Sequence, residues 1–206
     1  MTLYAFKPRF QALLRPLVRG LHARGVTANQ VTIAAGVGSV VLGTGLALGA
    51  ATGQPEVFLL LPIWLLLRMA LNAIDGLLAR EFGQASTLGA YLNELCDVAA
   101  DAALYLPFGL LGENNWAPAI AVVFLANLSE MASVLAITSG RGRRNDGPLG
   151  KSDRALVFGV AGLLVGSGVA PDPWLTWVLA VIAVLLLLTT VNRVRRGVAD
   201  SAPLDH

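Results

Sequence analysis

The sequence contains one cysteine, Cys96, and two histidines in 206 residues. A single cysteine cannot form an internal disulfide, and the chain has no Cys/His spacing typical of a metal site. Charged residues are also scarce, at 14% of the chain, whereas 55% of the residues are hydrophobic. A soluble domain of this length rarely carries so little charge. The composition therefore indicates an integral membrane protein.

Long apolar runs support this interpretation. A helix needs about 20 apolar residues to cross roughly 30 Å of hydrocarbon. Suitable runs lie near residues 31–51, 57–79, 87–111, 116–138, 155–170 and 174–192. We expect an all-α integral membrane fold with six transmembrane helices, which places both termini on the same side.

The positions of the basic residues predict which side this is. Lys and Arg are absent from the turns expected on one side, residues 52–56, 112–115 and 168–173. They collect before the first span, in the connection between the fourth and fifth spans, and after the sixth. By the positive-inside rule, both termini and the 140–154 connection face the cytoplasm. Because these charges report topology, we expect no nucleic-acid partner.

The first 25 residues form a separate element. Apolar residues recur there at helical spacing, opposite Lys7, Arg15 and Arg19. Prolines and scattered arginines leave no apolar core of a signal peptide. The pattern predicts an interfacial amphipathic helix over residues 1–25, or alternatively an amphipathic cytosolic helix packed on the protein. Residues 26–196 would then form one six-helix domain, followed by a cytoplasmic tail at 197–206.

Polar residues interrupt the second and third spans at helical spacing. They are Asn72, Asp75, Asn93, Asp97 and Asp101. Residues three or four apart share one face of a helix, and two antiparallel neighbouring spans place these faces at similar depth, so we expect them to converge on one cavity. Carboxylate and amide oxygens suit a hard cation such as Mg²⁺. A remaining carboxylate can accept the proton of an attacking hydroxyl.

The same segment carries a family signature. The spacing Asp75-Gly76-x-x-Ala79-Arg80-x8-Gly89, with an acidic residue eight positions after Gly89, resembles that of the CDP-alcohol phosphatidyltransferase family. This family joins a CDP-activated lipid to an alcohol and releases CMP. The resemblance implies that Asp75 is a metal ligand and Asp97 the catalytic base. It also implies that Gly76, Ala79, Arg80 and Gly89 line a nucleotide pocket.

Two positions depart from the family pattern. Asn72 and Asn93 stand where the family has its first and third aspartates. The implied metal ligands are therefore Asn72, Asp75, Asn93 and Asp97, holding Mg²⁺ or Mn²⁺ with two fewer negative charges. Reduced charge should weaken metal binding and leaves open whether one or two ions bind. Glu94 or Asp101 is an alternative source of charge.

The segment 25–32 opens the first span and resembles the corresponding family segment, with Ala28 in place of the usual proline. The resemblance implies that Asn29 and Thr32 lie near the nucleotide. A simpler interpretation is a helix start capped by Thr27 or Asn29.

Arg68, Asp101 and Glu130 lie deep in the predicted spans. An unpaired charge at such depth is costly. We therefore expect Arg68 and Asp101 to form a structural ion pair, with Glu130 as a further candidate member of the same network.

The connection between the fourth and fifth spans is basic. Gly150-Lys151-Ser152-Asp153-Arg154 groups a lysine, a hydroxyl, an arginine and helix N-terminal N–H donors, which together suit an anion. In relatives that use phosphorylated alcohols, basic residues hereabouts bind the acceptor phosphate. This implies acceptor-binding roles for Lys151, Ser152 and Arg154, and for Arg141 and Arg143. A loop attracted only to anionic headgroups is the alternative.

The sequence therefore predicts a bacterial inner-membrane phosphatidyltransferase that is embedded among membrane lipids. It would use CDP-diacylglycerol and a polar alcohol acceptor, a phosphorylated polyol such as glycerol 3-phosphate. The resemblance also favours a homodimer. Two alternatives remain, a transferase for another head group and a catalytically silent CDP-lipid-binding or scaffold protein.

Overall fold

The computed structural model describes residues 7–138, 142–144 and 146–199. Within these ranges every regular element is a helix. The α-helices are α1 (Lys7–Ala23), α2 (Ala28–Ala51), α3 (Leu60–Glu81), α4 (Thr87–Tyr105), α5 (Trp116–Thr138), α6 (Lys151–Gly166) and α7 (Trp174–Ala199). Short 3₁₀ segments at Pro55–Leu59 and Leu106–Leu111 precede α3 and follow α4.

Four helical segments of the described chain are long and apolar enough to cross a membrane. They are Ala28–Ala51, Pro55–Glu81, Trp116–Ile137 and Trp174–Ala199. The prediction of an all-α membrane protein is thereby confirmed. The two remaining core helices differ from these four, because α4 carries three carboxylates and α6 has only 16 residues.

Two helix boundaries differ from those expected. Helix α6 begins at Lys151, whereas the apolar run begins near residue 155. Helix α7 continues to Ala199, so the predicted boundary between domain and tail at residue 196 falls inside a helix. Apolar composition marks only the part of a helix suited to lipid, and both helices extend beyond it.

The start of α2 is fixed by a capping box. Thr27 Oγ1 accepts a hydrogen bond from Gln30 N at 3.3 Å, and Gln30 Oε1 accepts one from Thr27 N at 2.9 Å. These bonds satisfy backbone N–H groups that have no partner inside the helix. Of the two candidate caps, Thr27 serves, and this leaves Asn29 on the first turn of α2.

The buried apolar side chains form two clusters. The larger contains residues from each of the helices α2 to α7 and from the 3₁₀ segments, among them Phe58, Leu104, Phe158 and Leu179. The smaller packs α1 against α2 and α3 through Val18, Ala28, Val31, Ile74, Leu77 and Leu78. Along α3, Arg68 stands between Leu65 of the larger cluster and Ile74 of the smaller. Arg68 thus lies between the two apolar clusters.

Helices α2 and α4 approach each other closely. A Cβ at Gly43 would lie 2.3 Å from the carbonyl oxygen of Ala103, so only glycine permits this packing. The close approach brings the first turns of α2 beside the polar face of α4.

Candidate active site

Asp75 is buried in α3, with 6% of the residue exposed. Its Oδ2 accepts a hydrogen bond of 2.8 Å from Thr32 Oγ1, which also donates to Ala28 O at 3.1 Å. Asp75 also interacts electrostatically with Asp97 and Lys151. Three helices, α3, α4 and α6, therefore bring charged groups together here. Thr32, expected near a nucleotide, positions this carboxylate.

Both carboxylate oxygens of Asp97 are engaged by cations. Arg68 Nη2 donates to Oδ1 at 3.0 Å, and the Lys151 ammonium donates to Oδ2. Only 15% of the Asp97 side chain is exposed. Lys151 was predicted to bind the acceptor, and the structure places it directly on the predicted base.

One turn deeper on α4, Asp101 holds two arginines. Arg68 Nη1 donates to Oδ1 at 2.6 Å, and Arg154 Nη2 donates to Oδ2 at 2.9 Å. Asp101 and both arginines are nearly inaccessible, with side-chain exposures of 5% or less. The predicted structural pair of Arg68 and Asp101 is confirmed. Desolvated charges of this kind are stable only while they remain paired.

Glu130 of α5 connects three arginines from separate segments. Its Oε2 accepts from Arg143 Nη2 at 3.0 Å, and its Oε1 accepts from Arg154 Nη2 at 3.2 Å and lies 3.5 Å from Arg193 Nη1. Sequence reasoning missed Arg193, because it was counted only as a topological charge after the sixth span. Arg193 follows Thr189 by four residues, so the two share one face of α7, and both are buried. This spacing is the signal that could have identified Arg193.

The connection between α5 and α6 folds over this network. Arg143 forms a two-point contact with Glu94, at 2.5 and 3.0 Å, beside its bond to Glu130. Burial lowers the pKa of Arg143, but Glu94 and Glu130 more than compensate, so its pKa is raised. Glu94, considered above as a substitute metal ligand, is therefore paired with an arginine. Arg141 lies outside the described residues, and Ser152 is exposed on the first turn of α6.

The residues expected to line a nucleotide pocket lie near the ends of α2, α3 and α4. A Cβ at Gly89 would meet Asn29 Oδ1 at 2.8 Å, and one at Gly76 would meet Arg80 Nη1 at 3.0 Å. These two glycines thus leave room for the polar side chains that cover them. Ala79 differs from the others, because it packs against the smaller apolar cluster.

The oxygen donors suit a divalent cation in chemical type. Asp75 and Asp97 carry charge, while Asn72 and Asn93, half-buried and one turn before them, offer neutral oxygens. Within the described part of the chain, no three His, Cys, Asp or Glu side chains are grouped to hold a metal ion. Asp75, Asp97 and the two asparagines are oxygen donors of the type that Mg²⁺ or Mn²⁺ prefers, and they supply less negative charge than four aspartates would.

Sequence comparison identifies related proteins over nearly the whole chain. The profile of a family described as CDP-alcohol phosphatidyltransferase matches residues 25–189. The inner membrane protein YnbA of Escherichia coli is 48% identical over 99% of this chain and 100% of its own length. The phosphatidylinositol phosphate synthase of Mycolicibacterium smegmatis is 27% identical over 93% of this chain and 88% of its own length.

Solved structures share the fold. Phosphatidylinositol phosphate synthase of Mycobacterium tuberculosis with CDP-DAG bound aligns at a TM-score of 0.73 and 22% identity, covering 93% of this chain and 96% of that one. The same enzyme in complex with manganese and citrate aligns at a TM-score of 0.73 and 23% identity, covering 93% and 91%. That second structure contains manganese.

Proposed function

Because this chain belongs to the CDP-alcohol phosphatidyltransferase family, we propose that it transfers a phosphatidyl group from CDP-diacylglycerol to a polar alcohol and releases CMP. The observation that carries the proposal is the convergence of Asp75 and Asp97, from the two halves of the family signature, on one partly buried zone. A solved relative of the same fold with CDP-DAG bound supports the donor.

Asp97 is the residue we assign as general base. The acceptor hydroxyl would attack the phosphorus that bears diacylglycerol. A new bond forms from the acceptor oxygen to this phosphorus, the bond from the same phosphorus to the bridging oxygen breaks, and CMP leaves with that electron pair. Asp97 would take the hydroxyl proton. Its contacts with Arg68 and Lys151 orient the carboxylate and place positive charge beside the reacting groups.

A divalent cation, Mg²⁺ or Mn²⁺, completes the proposed site. Asp75, Asn72, Asn93 and Asp97 would supply its oxygen ligands, and the ion would offset the negative charge of the diphosphate. Thr32 holds Asp75 in place for this role. Gly76, Ala79, Arg80, Gly89 and Asn29 are assigned to the nucleotide side of the site.

We assign the acceptor side to the basic residues around α6. Arg143, Lys151 and Arg154 lie within one connected network with Asp97 and Glu130. A phosphorylated polyol such as glycerol 3-phosphate is the acceptor class that these cations favour. Ser152 and Arg141 complete the set proposed from the sequence, and Arg193 joins it from the geometry.

For the membrane arrangement we propose six spans, adding α4 and α6 to the four long apolar helices. The basic residues then place both termini and the active site on the cytoplasmic side of a bacterial inner membrane. Helix α1 would lie in the interface as an amphipathic helix, although Val18 also packs it against α3. A homodimer is the proposed assembly.

A catalytically silent relative that binds CDP-lipid is the second candidate. It is favoured by the two asparagines in the signature and by the pairing of Asp97 with two cations. Such a protein would bind CDP-diacylglycerol without turning it over.

The two candidates are separated by CMP release from CDP-diacylglycerol in liposomes. The purified protein is assayed with a panel of polyols, phosphorylated polyols and amino alcohols, with Mg²⁺, with Mn²⁺ and with EDTA. Metal-dependent CMP release that requires one acceptor and disappears in Asp97→Asn supports the transferase. Binding of CDP-diacylglycerol with no CMP release from any acceptor would refute the transferase and support the silent relative.

A further inference from the structure

Three arginines converge on one carboxylate at Glu130. They come from the 142–144 segment, from α6 and from α7, and their nitrogens lie 3.0, 3.2 and 3.5 Å from the Glu130 oxygens. Three guanidinium groups around one anion form an arrangement that suits a phosphate monoester, which has several oxygens and up to two charges. In this chain a side chain of the protein occupies that position.

The arginines do not depend on Glu130 for their positions. Arg193 Nη1 donates to Ser129 O at 2.6 Å, and its Nε donates to Asp146 O at 3.2 Å. Arg154 is held by Asp101, and Arg143 by Glu94. Removal of the Glu130 carboxylate would therefore leave three positioned cations without their shared anion.

The balance of charges around Glu130 also suggests that its carboxylate opposes the binding of a phosphate. Among the described residues, the connected network holds five cations, Arg68, Arg143, Lys151, Arg154 and Arg193, and four anions, Glu94, Asp97, Asp101 and Glu130. Only one positive charge is therefore in excess to attract a phosphate dianion, and the nearby Glu130 charge repels it. The Glu130 side chain is 14% exposed and that of Arg143 is 33% exposed, so the group is accessible from the side of Arg143.

We infer that Glu130 is a specificity-determining residue, an internal anion that occupies the phosphate position of the acceptor site and must be displaced by a phosphorylated acceptor. The inference rests on the proposed function, because it concerns the same site. Glu130 thereby sets a high apparent KM for phosphorylated acceptors and leaves unphosphorylated alcohols unaffected.

The test compares Glu130→Gln with the wild type. The amide keeps the size of the side chain and removes its charge. We expect the KM for glycerol 3-phosphate to fall by about tenfold, with the KM for glycerol and for CDP-diacylglycerol unchanged. Glu113→Gln, the same change at an exposed residue between α4 and α5, is the matched control and should alter neither KM. An unchanged or higher KM for glycerol 3-phosphate in folded Glu130→Gln would overturn the inference.

A binding experiment keeps this inference separate from the proposed function. Inorganic phosphate is titrated calorimetrically into wild-type and Glu130→Gln protein in detergent, without donor. Tighter phosphate binding by the variant supports the role of Glu130 even if no acceptor yields CMP, and equal binding contradicts it even if the protein is an active transferase.

A second variant, Glu130→Asp, tests the inference if Glu130→Gln fails to fold. Glu130→Asp keeps the charge but withdraws the carboxylate from the arginines by one methylene. We expect phosphate to bind about two- to threefold more tightly than to the wild type, and unchanged or weaker binding would refute the inference.

Discussion

Lys151, on the first turn of α6, donates a hydrogen bond to Oδ2 of Asp97, the residue on α4 that we assign as the catalytic base. The contact joins a residue proposed for the acceptor side to the proposed reacting centre. It also places a fixed positive charge on an oxygen that a divalent cation would share.

Removal of the Lys151 charge should tighten binding of a divalent cation. Lys151→Gln frees Oδ2 of Asp97 and removes a cation that also interacts with Asp75. We expect Mn²⁺ to bind about tenfold more tightly, equivalent to about 1.4 kcal/mol. Electron paramagnetic resonance of free Mn²⁺ measures this directly. Arg15→Gln, at the exposed pair with Glu81, is the control. Equal affinity in the wild type and Lys151→Gln would show that Lys151 does not compete with the metal.

The two aspartates of the signature should respond differently to excess metal. Asp75→Asn removes charge from the proposed ligand set, so CMP release should fall at least tenfold and recover in part at high Mg²⁺. Asp97→Asn removes the proton acceptor, so its activity should stay low at every Mg²⁺ concentration. Near-normal turnover by Asp97→Asn would disprove its assignment as base, and Asp101 would be tested next.

Restoration of the family aspartates should strengthen the metal site. Asn72→Asp and Asn93→Asp together add two negative charges near Asp75 and Asp97. Calorimetric titration of Mg²⁺ with CDP-diacylglycerol present should show tighter binding, whereas turnover need not rise, because only stronger transition-state binding accelerates the reaction. If affinity is unchanged, the two side chains do not face the metal.

Arg68 should be among the most important residues for stability. Arg68→Met removes one of the two cations that each of Asp97 and Asp101 contacts, leaving Lys151 and Arg154 in place. The buried oxygens that lose a partner should cost about 2–3 kcal/mol. The midpoint of thermal unfolding in detergent reports the loss. Adding Asp101→Asn to Arg68→Met should recover part of it, because a neutral amide replaces the carboxylate oxygen that lost Arg68. Additive losses in the double variant would show that the two residues are not coupled.

The proposed topology predicts the accessibility of single cysteines. In a variant lacking Cys96, cysteines at Gly53, Asn114 and Asp172 should react with a membrane-impermeant maleimide from the periplasm. A cysteine at Asp146 should react only after the membrane is opened. The opposite labelling pattern would invert the topology and move the active site to the periplasmic side.

The sequence by itself determined the helical membrane fold. A 20-residue apolar helix must satisfy its own backbone hydrogen bonds in lipid, so hydrophobic length identifies spans without any tertiary information. Local spacing likewise placed Asp75 and Asp97 on inward faces and indicated Thr27 as a candidate helix cap. Fixed motif spacing was sufficient to indicate the family, since the signature lies within one stretch of 26 residues, 72–97.

Only the tertiary structure decided which charges meet. Lys151 and Asp97 are 54 residues apart, and Arg193 and Ser129 are 64 apart, so no local pattern links them. In the sequence, an arginine near the end of a span indicates only the topology. The pattern is the same for an exposed residue such as Arg196 and a buried one such as Arg193. Which side chain is buried depends on how α7 packs against α5. That packing is set by many weak apolar contacts distributed over both helices. It therefore cannot be predicted from the identity of any single residue.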